Sequence, residues 1–225
     1  QDLYYKILPA GTYTFDADSW TIPSGELNAT AAIKIDLNKI EELGSLYDDY
    51  VLPLRITSST GEPMGQNKYT KVLAHIGFKN DYSGTYSGKG IITQQGTTYT
   101  TEITSTQLYA INNDICYMFV GEKTRANTPD YLNYVVEIKR DEWGGITLSS
   151  EVGSLEFKSY NSKLSRKYTY NYNDQRYYTE ITTVELAYEY LDKTQSEDLR
   201  MTFEGSFSMS RDVLRVEYPN VDVEE

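Results

Sequence analysis

Two residue types that carry much of enzyme chemistry are scarce in this 225-residue chain, which has one cysteine, Cys116, and one histidine, His75. A lone cysteine closes no internal disulfide, and its neighbours in "ICYMFVG" read as a buried strand, so Cys116 is expected as a small core residue. A lone histidine builds no multi-histidine metal site. No G-x-S-x-G, H-E-x-x-H, P-loop or G-x-G-x-x-G pattern surrounds a candidate nucleophile or base, and His75, between Ala74 and Ile76 in a strand-like run, reads as structural. Basic residues are also short, with 21 Lys and Arg against 33 Asp and Glu, a net charge of −12. That balance repels polyanions, excludes nucleic acid as a partner, and leaves neutral or cationic ligands open. No run of eighteen apolar residues could span a bilayer as a helix, and "QDLYYKILP" at the start has no basic-then-apolar leader, so an export signal is expected to be absent from this chain.

Phenylalanine gives way to tyrosine, with 22 Tyr against 6 Phe. Most rings therefore carry a hydroxyl, which suits half-wet surfaces, barrel interiors and binding faces better than a dry core. Period-two alternation dominates. In "AIKIDL" Ile33, Ile35 and Leu37 oppose Lys34 and Asp36; in "LRMTFEGSFSM" Leu199, Met201, Phe203, Phe207 and Met209 oppose Arg200, Thr202, Glu204 and Ser206; in "TVELAYEY" Val184, Leu186, Tyr188 and Tyr190 oppose Glu185, Ala187 and Glu189. The fold class is all-β. One helical signal interrupts it, "LNKIEELG", with Asn38 as cap, Glu41 three later and Gly44 as terminator.

A boundary falls at "FKNDYSG". Residues 1–78 are punctuated by Pro9, Pro23, Pro53 and Pro63, as in a sandwich with edges to protect. In residues 79–225 strands lengthen, and between Asp81 and Ser210 only Pro129 occurs. "YSGTYSGKGII" places Tyr82, Gly84, Tyr86, Gly88, Gly90 and Ile92 on one face, and glycines on an inward face make room where a strand coils to close a barrel. With Gly205 inward on the last long strand, first and last strands are expected to be neighbours in an antiparallel barrel, a lipocalin-like meander, with a jelly-roll sandwich as the alternative.

"YYKILPAGTYTFDADSWTIPSGELNATAAIKIDLNKI", then "YDDYVLPLRITSSTG" and a Tyr-Gly-rich segment ending in "FEGSFSMSR", resembles a domain-of-unknown-function family of Bacteroidetes lipoproteins from polysaccharide-utilisation loci. The elements that carry the resemblance are Leu8, Pro9 and Tyr13, the Ile22, Pro23, Gly25 turn, and Leu52 to Leu54. It implies an N-terminal immunoglobulin-like domain and a C-terminal β domain, an outer-membrane lipoprotein at the cell surface, contact with oligosaccharide or polysaccharide, and SusC/SusD-type uptake proteins as partners. The first domain departs from the pattern, since it begins where its early strands should already be complete.

The candidate site is the hairpin in "RKYTYNYNDQRYYTE". Tyr168, Tyr170 and Tyr172 are expected on one strand face, Asn173 and Asp174 in the turn, and Tyr177 and Tyr178 on the return strand. Stacked rings match the C–H face of a sugar, and Asp174 and Arg176 can take its hydroxyls. Trp143, in the charged, glycine-rich "RDEWGGI" turn, joins them as a ligand contact, whereas Trp20 is expected in the core. "DADSW" (Asp16, Asp18) lacks the glycine of a calcium loop and reads as a solvated turn, so neither metal nor cofactor is expected. The resulting expectation is a non-catalytic carbohydrate-binding surface protein. The alternative is a structural or adhesin-like protein that binds a protein partner. A glycosidase, which needs a carboxylate pair, ranks last because nothing in the sequence promotes one.

Overall fold

β-Branched and aromatic residues at alternate positions drive almost every element. In the computed structural model, which describes residues 5–42, 50–60, 66, 70–141 and 145–224, the chain is nearly all β and divides into two compact units, Gln1–Gly77 and Phe78–Glu225. Glu41's side chain is likewise outside the description.

In the first unit β1 (Lys6–Ile7) runs parallel to β4 (Tyr50–Arg55), which pairs antiparallel with β5 (Lys71–Ile76). A second small sheet joins β2 (Tyr13–Phe15) to β3 (Ile33–Ile35). Among the described residues of this unit, Leu8, Ile40, Tyr50, Val51 and Leu52 are the buried apolar ones. The helix α1 (Leu37–Glu42) forms where the sequence signals one, but its cap is Asp36, whose Oδ1 accepts from the Lys39 N–H at 3.3 Å. Asn38 lies inside the helix instead, because Asp36 already sits one residue before the first helical position. Gly44 lies outside the described residues. Trp20 is a correction: it is 40% exposed, its indole N–H donates to Asp16 Oδ1 at 2.9 Å, and its edge meets Phe15 at 6.0 Å. A local polar partner and one ring hold it at the surface. His75 is exposed on β5 with Tyr5 edge-on at 5.4 Å.

The second unit is one strongly curled sheet. Its strands in chain order are β6 (Gly84–Gln94), β7 (Thr100–Ala110), β8 (Ile115–Phe119), β9 (Val135–Arg140), β10 (Ile146–Ser149), β11 (Lys158–Ser159), β12 (Lys163–Tyr170), β13 (Tyr177–Asp192), β14 (Leu199–Leu214) and β15 (Val223–Glu224). Neighbours run β10-β9-β8-β7-β6-β14-β13-β12-β15, with β11 beside β13. The first long strand therefore pairs with the last, as the glycines predict, in the register Gly90↔Gly205 and Phe207↔Gly88. This is a curled meander, and the jelly-roll alternative falls. Where the two ends of the sheet meet, one antiparallel bridge, Gly145↔Lys163, joins them.

Curvature has an identifiable cause. β6 carries a bulge between Ser87 and Gly90 against Ser105 and Ile103 of β7, which adds a residue to one strand and sharpens the coil. A Cβ on Gly90 would lie 2.6 Å from Phe203 Cζ, and one on Gly205 would lie 2.6 Å from Phe207 Cε2 and 2.9 Å from Gly90 Cα. The absent side chains are the space that Phe203 and Phe207 fill. The core inside the curl joins Tyr86, Ile92, Leu108, Met118, Val136, Ile138, Val184, Leu186, Tyr188, Tyr190, Phe203 and Phe207. Cys116 is buried among them, and burial pushes its thiol up to about 11 despite a contact with Asn80 Oδ1. Among the described residues no helix is long and apolar enough to cross a membrane.

Candidate functional site

β13 and β14, each 16 residues, are the longest strands, and β12 flanks β13 over its first half. Across these three strands the inward face continues as rows. The row Leu164, Val184, Phe207 belongs to the apolar core; next come Arg166, Thr182, Met209, then Tyr168, Glu180, Arg211, then Tyr170, Tyr178, Val213. Each row is about 7 Å further along the strands. The face thus turns from apolar to charged to aromatic.

The charged row closes around Glu180. Glu180 has no exposed surface, and its Oε1 accepts from Arg211 Nε at 2.9 Å and from the Thr182 hydroxyl at 3.3 Å. Arg166 Nη1 stands 3.6 Å from Glu180 Oε2, and Asp81 completes a quartet, 3.6 Å from Arg166 and 3.4 Å from Arg211. Tyr82 receives both Arg166 and Arg140 on its ring, at 4.9 Å and 4.8 Å. Burial raises the Tyr86 phenol above its ordinary range, and its hydroxyl donates to the Tyr82 carbonyl at 2.8 Å.

The aromatic row is open. Tyr168 is half-buried against Tyr218, with ring centroids 5.9 Å apart; burial raises its pKa, and neighbouring Glu180 does so too. Tyr170 is 40% exposed and lies 6.0 Å from the half-buried Tyr178 at an interplanar angle of 58°. The rings are tilted, so the flat stack expected of them does not form. They hold Arg215, whose guanidinium carbon is 5.1 Å from the Tyr170 ring and 4.7 Å from the Tyr178 ring. Tyr172, 85% exposed, departs from its expected place, since β12 ends at Tyr170.

The connection spans residues 171–176 and is longer than an Asn-Asp turn, because Asn171 Oδ1 captures the N–H groups of Asn173 and Asp174 at 3.0 and 3.1 Å. Asp174 then binds Arg176 through both its N–H and its guanidinium, which pulls the Asp174 carboxyl down to about 2. Tyr168, Tyr170, Tyr172, Asp174, Arg176 and Tyr178 therefore share one hairpin end. Trp143 lies outside the described residues.

Arg215 was not singled out from the sequence. It follows β14 with no motif around it, and the only signal is its place two residues after Val213 and four after Arg211, which lie on the inward face. A second concavity was also missed. At the opposite mouth of the sheet a pocket of about 420 Å³ is lined by Ile92, Tyr99, Tyr190, Leu199 and Met201, with Gln94, Glu122 and Glu197 among its polar residues. Tyr99 there is 61% exposed.

Beside that pocket Lys123 Nζ meets Asp192 Oδ2 at 2.7 Å, and Asp192 Oδ1 accepts from the Thr194 hydroxyl at 2.7 Å. Burial alone would raise the Asp192 pKa, but the bonds from Lys123 and Thr194 outweigh it and hold the carboxyl below its ordinary value of about 4. A carboxylate whose pKa is lowered by folding stabilises fully above about pH 4 and loses that contribution as pH falls through the folded value. Asp192→Asn is accordingly expected to cost about 1–2 kcal/mol at pH 6. In thermal melts at descending pH, the gap from wild type should narrow below pH 4; a gap constant to pH 3 would show that the carboxylate is not the source.

No curated protein matches the chain. Solved structures share its fold. An auxiliary nutrient binding protein from Bacteroides thetaiotaomicron has a TM-score of 0.78 at 18% identity, over 95% of this chain and 73% of that one. A multidomain protein including DUF1735 from Bacteroides ovatus has a TM-score of 0.77 at 18% identity, over 98% and 76%. A protein of unknown function from the same organism gives 0.78 at 21% identity, over 94% and 72%. Among family models, an N-terminal domain matches residues 1–63 and a C-terminal domain matches residues 70–208. The chain belongs to the family that this N-terminal and this C-terminal domain define.

Proposed function

We propose that the chain is a non-catalytic binding protein of the cell surface that takes an oligosaccharide at the hairpin end of β12, β13 and β14. The observation that carries this reading is the open aromatic row. Tyr170 and Tyr172 expose ring surface to solvent while Tyr178 and Arg215 fix the site from below, and Asp174 and Arg176 stand at its rim. Ring faces meet the C–H patches of a sugar and the rim groups meet its hydroxyls. The fold shared with an auxiliary nutrient binding protein supports a binding role, and such a role at the outer membrane would place it beside SusC/SusD-type uptake proteins. With so few contacts, affinity in the micromolar to millimolar range is expected, about −4 to −8 kcal/mol.

Isothermal titration against a panel of plant, algal and host oligosaccharides tests it. Tyr170→Ala is expected to weaken binding about five- to tenfold, the worth of one sugar-stacking ring, and Tyr99→Ala, at the far mouth, to leave it unchanged. If Tyr99→Ala abolishes binding while Tyr170→Ala is silent, the site lies at the other end of the sheet. If no saccharide class binds, the reading is wrong.

A second reading has one observation in its favour. Among the described residues β5 is an edge strand, and its Val72 and Leu73 are exposed, a surface suited to strand addition by a protein partner.

A further inference from the structure

The site described above has an electrostatic character that the net charge of −12 hides. Five arginines, Arg140, Arg166, Arg176, Arg211 and Arg215, gather at the tyrosine end of the second unit. Most of that charge is neutralised in place. Arg166 and Arg211 face Glu180 and Asp81, and Arg176 is tied to Asp174. Arg140 is turned inward over Tyr82.

Arg215 is different. Among the described residues no carboxylate pairs with it; its Nε donates to the Tyr177 carbonyl at 3.0 Å, and its own N–H donates to the Arg176 carbonyl at 2.9 Å. The guanidinium is packed on Tyr170 and Tyr178, which leaves the edge carrying the two terminal nitrogens without a protein acceptor. Carboxylates close by are engaged elsewhere: Asp212, on the opposite face of the sheet, accepts from the Thr179 hydroxyl at 3.1 Å, and Glu224 pairs with Lys167 at 3.2 Å. Glu217, two residues on, makes no ion pair with it.

A guanidinium held by two rings, with one nitrogen spent on a carbonyl and a bidentate edge free, is built to receive a planar or tetrahedral oxyanion. Because the rings and the carbonyl already fix its orientation, binding immobilises little more of the side chain. The protein's overall negative field does not prevent this, since screening at about 8 Å confines distant acids while contact charges act in full.

We infer that the saccharide taken at this site is an acidic one, with the carboxylate of a uronic acid or the oxyanion of a sulfate ester seated on the free edge of Arg215 and the sugar ring against Tyr170. This rests on the oligosaccharide-binding reading and replaces the neutral or cationic ligand expected from net charge with an acidic one.

The experiment compares acidic oligosaccharides with their own neutralised forms. Tetragalacturonate is titrated against its methyl ester, an oligomannuronate against its carboxyl-reduced form, and a sulfated galactan oligosaccharide against its desulfated form, which separates carboxylate from sulfate. In at least one pair the acidic member is expected to bind at least tenfold tighter. Arg215→Gln should erase that preference and Arg215→Lys should keep part of it, both with melting temperatures close to wild type. Equal affinity within every pair, or a preference that survives Arg215→Gln, overturns the inference while leaving oligosaccharide binding intact. Silence of every saccharide, acidic and neutral, removes the binding reading together with it. Should Arg215→Gln fail to fold, the paired titrations on the wild-type chain still decide.

Discussion

Replacing Phe203 by alanine is expected to lower the stability of the second unit by about 3–5 kcal/mol, the usual cost of deleting a fully buried ring. Phe203 stacks on Tyr188 with centroids 4.7 Å apart and lies nearly parallel to Phe207 at 6.2 Å. Its ring occupies space left by a glycine, since a Cβ on Gly90 would come 2.6 Å from its Cζ. The converse change, Gly90→Ala, is therefore expected to cost about 1–3 kcal/mol by overpacking. The two effects should not add. With Phe203 already shortened, the added methyl meets chiefly Phe207 Cζ at 2.8 Å, so more than half of the Gly90→Ala penalty should vanish. Gly205→Ala supplies the contrast, because its Cβ would meet Phe207 Cε2 at 2.6 Å and Gly90 Cα at 2.9 Å, which Phe203→Ala leaves in place, beside Phe203 Cζ at 2.9 Å, so a smaller share of its penalty should vanish. Urea titration of the two double variants separates them. Additive penalties in both would mean that these glycines do not make room for the rings.

Those glycines show what can be read from a sequence and why. Gly90 and Gly205 are legible because a residue without a side chain on an inward strand face has few uses other than close approach, and the approach tells which strands are neighbours. Val184, Leu186, Tyr188 and Tyr190 are legible for a similar reason: every second residue is apolar, and each of the four is buried. The same inward face continues through Thr182 and Glu180, and there the reading fails. Polar residues look like a solvent face when the strand is considered alone. What makes Glu180 an interior residue is Arg166 and Arg211, which sit on other strands and reach it only after the hairpins close. The candidate site divides along the same line. Tyr168, Tyr170 and Tyr178 are conspicuous by composition, but Arg215, which packs on both Tyr170 and Tyr178, is not, because its arrival depends on where β14 ends. Trp20 lies outside the core although aromatic size suggests burial, and its indole N–H is bonded to Asp16 only four residues away.

Glu180→Ala is expected to cost about 3 kcal/mol, and its meaning lies in what restores the loss. Removing one member of a buried charge set leaves the others uncompensated, at about 3–5 kcal/mol. The lower end applies because Arg166 and Arg211 keep part of their surface in water, whereas Glu180 keeps none. The charges also cost something to bury when all are present, so a set replaced together by apolar residues of similar volume can match or exceed the original stability. Glu180→Leu combined with Arg166→Met and Arg211→Met should thus recover most or all of what Glu180→Ala loses, with Asp81 left at the surface where it needs no partner. Single Arg211→Met is expected to lie between, because Arg166 still faces Glu180. Urea midpoints of the second unit's transition order the four proteins. A triple variant less stable than Glu180→Ala would mean that the quartet is a net source of stability. Recovery would mean that these charges are kept for the orientation they impose on the inward end of β12, β13 and β14, where Tyr168 and the aromatic row begin.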